Sequence, residues 1–127
     1  MRSFNLDLFE KRLAVYNQAR EAISRINGKG RDDDDADRLL LEAINASEFL
    51  FGDDIREYLD AMWERFNRLR AAESQLKSAD EETRQKGAVA QLALFGQITQ
   101  FYYEGADVFA HYMRMDHRLR PPLRVRR

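Results

Sequence analysis

Apolar residues recur along the middle of the chain at alternating steps of four and three. The residues that follow this spacing are Ile55, Leu59, Met62, Phe66 and Leu69. Such steps keep side chains on one face of an α-helix, so the pattern predicts an amphipathic helix over residues 54–77. We expect this face to lie in the core of a helical bundle.

Two further helices are predicted before this one. The first covers residues 7–27, and Gly28 is expected to stop it, as glycine does just past many helix ends. The second covers residues 36–51, and Gly52 is expected to take the left-handed conformation that follows a helix C-terminus. The acidic residues between them are predicted to form a solvated loop that stabilises the start of the second helix.

The last helix has an unusual pattern, because apolar residues cover most of its circumference. Ser78 and Glu81 have the spacing of a capping box, and the helical pattern then extends from Asp80 to His117. One apolar stripe contains Leu92, Phe95, Thr99, Tyr102, Ala106, Phe109 and Met113, and an offset stripe contains Leu94, Ile98, Phe101, Gly105, Val108, Tyr112 and Met115. An unbroken helix of this length would reach about 57 Å. We therefore expect it to bend, at Gly87, Gly96 or Gly105, or to project beyond the bundle.

These elements predict an all-α fold, namely a four-helix and mostly antiparallel bundle with a long C-terminal helix. Residues 1–120 are expected to form a single domain. Pro121-Pro122 ends the regular pattern, so residues 121–127 are predicted to be a basic, flexible tail.

Two apolar stripes on one helix suggest two packing partners. One stripe would face the other three helices, and the other would face a second copy or another protein. The residues predicted for this interface are Phe101, Val108, Tyr112 and Met115. The alternative is that the bundle itself covers more of the last helix.

Charge is distributed unevenly along the chain. Residues 1–110 carry 15 basic and 21 acidic side chains, whereas residues 111–127 carry six arginines and one aspartate. The arginines are Arg114, Arg118, Arg120, Arg124, Arg126 and Arg127. An alternative function is therefore binding to an anionic surface, either nucleic acid or lipid headgroups.

The sequence contains few of the residue patterns that are typical of enzyme active sites. The chain has no cysteine, and no serine lies in a glycine-flanked nucleophile elbow. No phosphate-binding glycine loop is present. We predict a non-enzymatic protein with no cofactor and no small-molecule substrate.

Two places in the sequence are candidates for a metal site. An EF-hand loop counted from Asp33 requires glycine at its sixth position and glutamate at its twelfth, where the chain has Arg38 and Ile44. Glu104, Asp107 and His111 share a helical face and make a metal-binding bundle the third hypothesis, although the chain contains no Glu-x-x-His motif.

Three segments resemble a family of uncharacterised bacterial all-helical domains. They are LFEKRLAVY at Leu8–Tyr16, EFLFGDDIREYL at Glu48–Leu59 and FAHYMRMDHRL at Phe109–Leu119. Members of that family often follow transmembrane helices, whereas no apolar run here reaches the roughly 20 residues of a span. The resemblance implies a helical domain with no assigned activity. We expect a cytoplasmic location, at the inner face of the membrane if an anchor belongs to the full-length protein.

Overall fold

The computed structural model describes residues 4–114, with side chains from residue 6 onward. Its helices are α1 (Phe4–Lys29), α2 (Asp34–Ser47), α3 (Asp53–Gln75), α4 (Glu81–Thr99) and α5 (Phe101–Ala110). The described residues contain no strand. α4 and α5 are two segments of one long, bent last helix, so the predicted all-α, mostly antiparallel four-helix bundle is confirmed.

α3 supplies the central face of the core. All five residues of its predicted apolar stripe are completely buried. Buried side chains of α1, α2, α4 and α5 join them in one continuous cluster. The prediction that this stripe forms the centre of a bundle is therefore confirmed.

α1 and α2 end at different residues from those predicted. Gly28 lies inside α1, and Gly30 takes the left-handed conformation, with φ of 68°. The Gly30 N–H donates to the Ile26 carbonyl at 2.9 Å, which is how a helix end is closed. α2 stops at Ser47, and Phe49 lies in the following turn, 91% exposed.

Gly52 and Ser78 also differ from their predicted roles. Gly52 has an extended backbone (φ −80°, ψ −178°) and precedes α3 as its N-cap residue, so the predicted left-handed helix end was wrong. The N-cap of α4 is Asp80, whose carboxylate accepts from the Thr83 N–H at 3.0 Å. Ser78 instead accepts from the Asp80 N–H through its hydroxyl.

The bend in the last helix lies at Gln100, between α4 and α5. The hydroxyl of Thr99 donates to the Phe95 carbonyl at 2.8 Å, and such back-bonding from Ser or Thr often bends a helix. Predictions of a bend at Gly87, Gly96 or Gly105 were wrong, because all three glycines lie inside helical segments.

Candidate functional site: an apolar groove between α1 and α5

An open groove of about 670 Å³ runs between the first half of α1 and the outer side of α5. Its lining residues are Phe9, Leu13, Tyr16, Ala106, Phe109, Ala110, Met113 and Arg114. Most of them are apolar, and Arg114 is the charged member. An apolar cleft of this size is an expected place for a helix or an apolar ligand to bind.

Large side chains of α1 form one wall of the groove. Phe9, Leu13 and Tyr16 are spaced four and three apart, so they share one helical face. All three are only partly buried. The Tyr16 ring packs against Phe101 and Phe109, with ring centroids 5.6 and 5.3 Å apart, which fixes the inner end of this wall on the core.

α5 forms the opposite wall, where Phe109 is completely buried and the exposed positions of the helix in this wall are alanines. Ala106 and Ala110 lie four residues apart, and both are exposed. A methyl group at each position leaves the space that a larger side chain would fill. The spacing of these alanines was visible in the sequence, but nothing in the sequence showed that α5 lies beside the start of α1.

The residues predicted to form an interface lie mainly on the other side of α5. Phe101 is completely buried and packs on Tyr16 and Tyr58, so it is a core residue and not a surface residue. Val108 is partly buried against the core. Met115 lies outside the described residues. The two stripes are alike in composition, and the sequence alone did not show which one faces the core.

Tyr112, the fourth predicted interface residue, is held within its own chain. Its hydroxyl donates to Asp54 Oδ1 at 2.7 Å and accepts from the Gly52 N–H at 3.1 Å. Its ring packs edge-on against Phe51, at a centroid distance of 5.0 Å. The guanidinium of Arg12 lies 5.1 Å from the ring centroid, and burial lowers the pKa of Arg12.

Comparisons with known proteins do not assign this groove. No protein-family model, curated protein or solved structure matches the chain. No helix in the described part of the chain combines the length and hydropathy of a membrane span.

The predicted anion-binding residues are represented in the structure by Arg114 alone. Arg114 is exposed and lines the groove. Arg118, Arg120, Arg124, Arg126 and Arg127 lie outside the described residues.

The third hypothesis, a metal site at Glu104, Asp107 and His111, is not supported by the side-chain positions. Within residues 6–114, these three do not come together as a group of potential metal ligands. Glu104 instead accepts from the Tyr58 hydroxyl at 3.2 Å. Burial and the neighbouring Glu104 raise the pKa of Tyr58. Asp107 and His111 are exposed.

The acidic segment before α2 is more buried than a solvated loop. Asp33 is 8% exposed, and its carboxylate accepts from Lys29 Nζ at 2.7 Å and Arg25 Nε at 2.8 Å. It also accepts from the Ala36 N–H at 3.1 Å and so caps α2, as the sequence indicated for this segment. The donors from Lys29 and Arg25 hold the pKa of Asp33 far below its ordinary value.

Asp32 and Asp37 have a different environment, since they face each other beside Arg70. Arg70 Nη1 donates to Asp37 Oδ2 at 2.5 Å, and its guanidinium lies 5.3 Å from the centroid of the Trp63 ring. Burial and the adjacent Asp32 raise the pKa of Asp37 to about 7. The described residues that gather potential metal ligands are Asp32, Asp34 and Asp37, whose ligand atoms lie within 4.8 Å of one another.

Proposed function

We propose that this protein is a small, non-enzymatic assembly domain that self-associates through the groove between α1 and α5. The observation that carries the proposal is an open apolar groove with large side chains from α1 on one side and the exposed alanines of α5 on the other. Small residues allow the backbones of two helices to approach closely. A second copy of α5 is therefore the occupant that we assign to the groove.

Opposite charges near the C-terminal end of α5 are compatible with pairing between identical chains. Asp107 lies on α5, Arg114 lies four residues beyond its last residue, Ala110, and both are exposed. In the dimer that we propose, two α5 segments pair in antiparallel orientation and Asp107 of one copy lies near Arg114 of the other. A two-fold axis produces this contact twice, which is the self-complementarity that a symmetric dimer requires.

The exposed surface of the groove also sets the expected strength of association. Ala106 and Ala110 contribute little apolar area, and the large residues of α1 are already partly buried. A stable dimer usually buries about 800 Å² on each partner. We therefore expect a reversible dimer with a dissociation constant in the micromolar range.

Sedimentation velocity over a range of protein concentrations tests this function. The wild type should shift from monomer to dimer as its concentration rises to tens of micromolar. Ala110→Arg places a long charged side chain in the groove and should leave a monomer. Leu92→Arg is the matched control, because Leu92 is 77% exposed on α4 and does not line the groove.

A wild type that stays strictly monomeric at the highest concentration would contradict self-association. Equal weakening by Ala110→Arg and Leu92→Arg would place the interface elsewhere and would also contradict the proposal. If the protein is monomeric and a different protein binds in the groove, then that protein, and not a second copy of the chain, is the occupant. Circular dichroism of both variants distinguishes lost association from lost folding.

The anionic-surface hypothesis is a separate proposal with its own measurement. Arg114 is exposed at the groove, and five more arginines follow it in the sequence. Binding to single-stranded nucleic acid or to vesicles with anionic lipids should weaken steeply with added salt. Absence of binding at low salt would exclude this function. The family resemblance implies a location at the inner face of a bacterial membrane. Binding to anionic vesicles but not to nucleic acid would agree with that location.

A further inference from the structure

Three aspartates gather where the loop after α1 enters α2. Asp32 immediately precedes the N-cap residue Asp33, and Asp34 and Asp37 lie in the first turn of α2. Potential ligand atoms of Asp32, Asp34 and Asp37 lie within 4.8 Å of one another. Oxygens that bind one calcium ion at about 2.4 Å lie no more than about 4.8 Å apart, so the three side chains are close enough to share one ion.

Two oxygens in this cluster are buried without a hydrogen-bond donor. Among the described side chains, Asp32 Oδ1 and Asp37 Oδ1 have almost no contact with solvent and no hydrogen-bond partner. The Asp32 side chain is only 9% exposed. A buried carboxylate oxygen without a hydrogen-bond donor is unfavourable, and only Asp32 Oδ1 is in ion-pair contact with a cation, Arg70, so the two atoms favour additional positive charge at this place.

Arg70 supplies only part of that charge. Its Nη1 atom hydrogen-bonds to Asp37 Oδ2, but it lies 3.6 Å from Asp32 Oδ1, too far for a hydrogen bond. Glu73 adds a further negative charge, because its Oε2 accepts from the Asp32 N–H at 2.8 Å. The Arg70 guanidinium therefore contacts two carboxylates, Asp32 and Asp37, and further carboxylates from Asp34 and Glu73 lie beside Asp32.

The neighbouring Asp33, by contrast, has hydrogen-bond donors for both of its carboxylate oxygens. Both of its oxygens accept hydrogen bonds, from two cationic side chains and one backbone N–H. Asp32 and Asp37 each retain an oxygen without such a donor. The difference lies in the number of positive charges and not in burial, since Asp32 and Asp33 are almost equally buried.

We propose that Asp32, Asp34 and Asp37 bind a hard divalent cation of the size of calcium. All three potential ligands are carboxylate oxygens, which hard cations prefer. Asp34 is exposed and opens the site to solvent, where water completes the coordination. The segment does not follow the EF-hand pattern, so the ion would be held by one turn of helix and the residues before it.

Isothermal titration of the full chain, first freed of metal with a chelator, tests this site. Calcium chloride should give saturable binding of one ion per chain, with a dissociation constant of about 10⁻⁴ to 10⁻³ M. It should also raise the unfolding temperature, because the ion binds the folded state. Magnesium should bind more weakly, since it requires near-ideal octahedral geometry and gives up its bound water reluctantly. Sodium chloride at equal ionic strength should give no saturable heat.

Asp34→Ala and Asp35→Ala form a matched pair for the assignment. Both residues are exposed, and both lie in the first turn of α2, so each change removes one carboxylate from a similar position. Asp34→Ala should weaken calcium binding by about tenfold or more, whereas Asp35→Ala should change it by less than about threefold.

No saturable calcium binding by the wild type would overturn the site, and a proton shared by Asp32 and Asp37 would then satisfy the buried oxygens. Equal weakening by the two variants would also overturn it, because diffuse attraction to the acidic segment has no specific ligand. Neither result depends on whether the chain forms a dimer.

Discussion

The hydroxyl of Tyr112 donates a hydrogen bond to Asp54 Oδ1 at 2.7 Å, although the two residues lie 58 positions apart. The same hydroxyl accepts from the Gly52 N–H, so it satisfies a backbone donor at the start of α3. The hydrogen bond to Asp54 raises the pKa of Tyr112. This pair connects the turn after α5 to the first turn of α3.

Tyr112→Phe should lower the free energy of unfolding by about 1 kcal/mol, because it removes the hydroxyl and leaves the ring in place. Tyr103→Phe is the control, since Tyr103 is 85% exposed and its loss of a hydroxyl should change stability by less than about 0.5 kcal/mol. Urea unfolding followed by circular dichroism measures both. Equal stability of the two variants would show that the Tyr112 hydroxyl contributes nothing.

Gly87 and Gly96 lie in the same helix, α4, and should respond to alanine in opposite directions. A Cβ atom at Gly87 would lie 2.7 Å from the Ala72 carbonyl oxygen and 2.8 Å from Gln75 Cβ, so α3 would have to move. We expect Gly87→Ala to destabilise the protein by about 1–2 kcal/mol, despite its better helix propensity.

Gly96 is exposed, and a Cβ atom there would meet nothing within 4 Å. Gly96→Ala should therefore stabilise the protein by up to about 1 kcal/mol, through helix propensity alone. Chemical unfolding of both variants provides the comparison. Stabilisation by both changes would contradict the prediction, because it would mean that α3 and α4 can move apart at Gly87 without loss of stability.

Asp80 gives a prediction about acid conditions. Hydrogen bonds from the Thr83 side chain and the Thr83 N–H lower the pKa of Asp80 below its ordinary value of 3.8. A lowered pKa in the folded state means that the ionised cap stabilises the protein above about pH 4, and that this contribution disappears as the pH falls through the lowered pKa.

Asp80→Ala should therefore reduce the denaturant midpoint at neutral pH, and its difference from wild type should shrink under acid conditions. Asp80→Asn keeps an acceptor for the Thr83 N–H and should retain most of the stability at neutral pH. Glu82→Ala is the charge control, because it removes a carboxylate from the first turn of α4 without removing the cap. A difference between Asp80→Ala and wild type that does not change with pH would contradict the ionised cap.

The proposed dimer predicts a charge-reversal cycle. Asp107→Arg and Arg114→Asp should each weaken association by roughly tenfold, because each places like charges together at both symmetry-related contacts. The double variant should recover most of the affinity, since the pairs are restored in reverse. Additive weakening in the double variant would show that Asp107 and Arg114 do not face each other across the interface.

Much of the fold could be predicted because its central helix has a simple period. A single regular apolar face leaves only one side of this helix to be buried in the core. That face consists of Ile55, Leu59, Met62, Phe66 and Leu69. The ends of α1 and α2 were less predictable, because Gly28 and Phe49 each suit more than one local structure. Their positions depend on tertiary contacts that the sequence pattern does not contain.

The candidate sites show the same limit. Two similar stripes on the last helix gave no basis for choosing the side that faces the core, and Phe101 was assigned to the wrong one. The acidic segment does not follow the EF-hand spacing, and the distances among Asp32, Asp34 and Asp37 depend on how the loop enters α2. The unsatisfied oxygens also depend on Arg70, which is remote in sequence and belongs to α3.

The last helix is too long for the bundle that it covers. A straight rod over residues 81–110 would measure about 45 Å, whereas the 23 residues of α3 span about 35 Å. The last helix therefore exceeds α3 by seven residues, or about 10 Å, and after the change of direction at Gln100 its last segment, α5, packs beside α1. One side of the groove thus belongs to the part of the last helix for which α3 has no equal length.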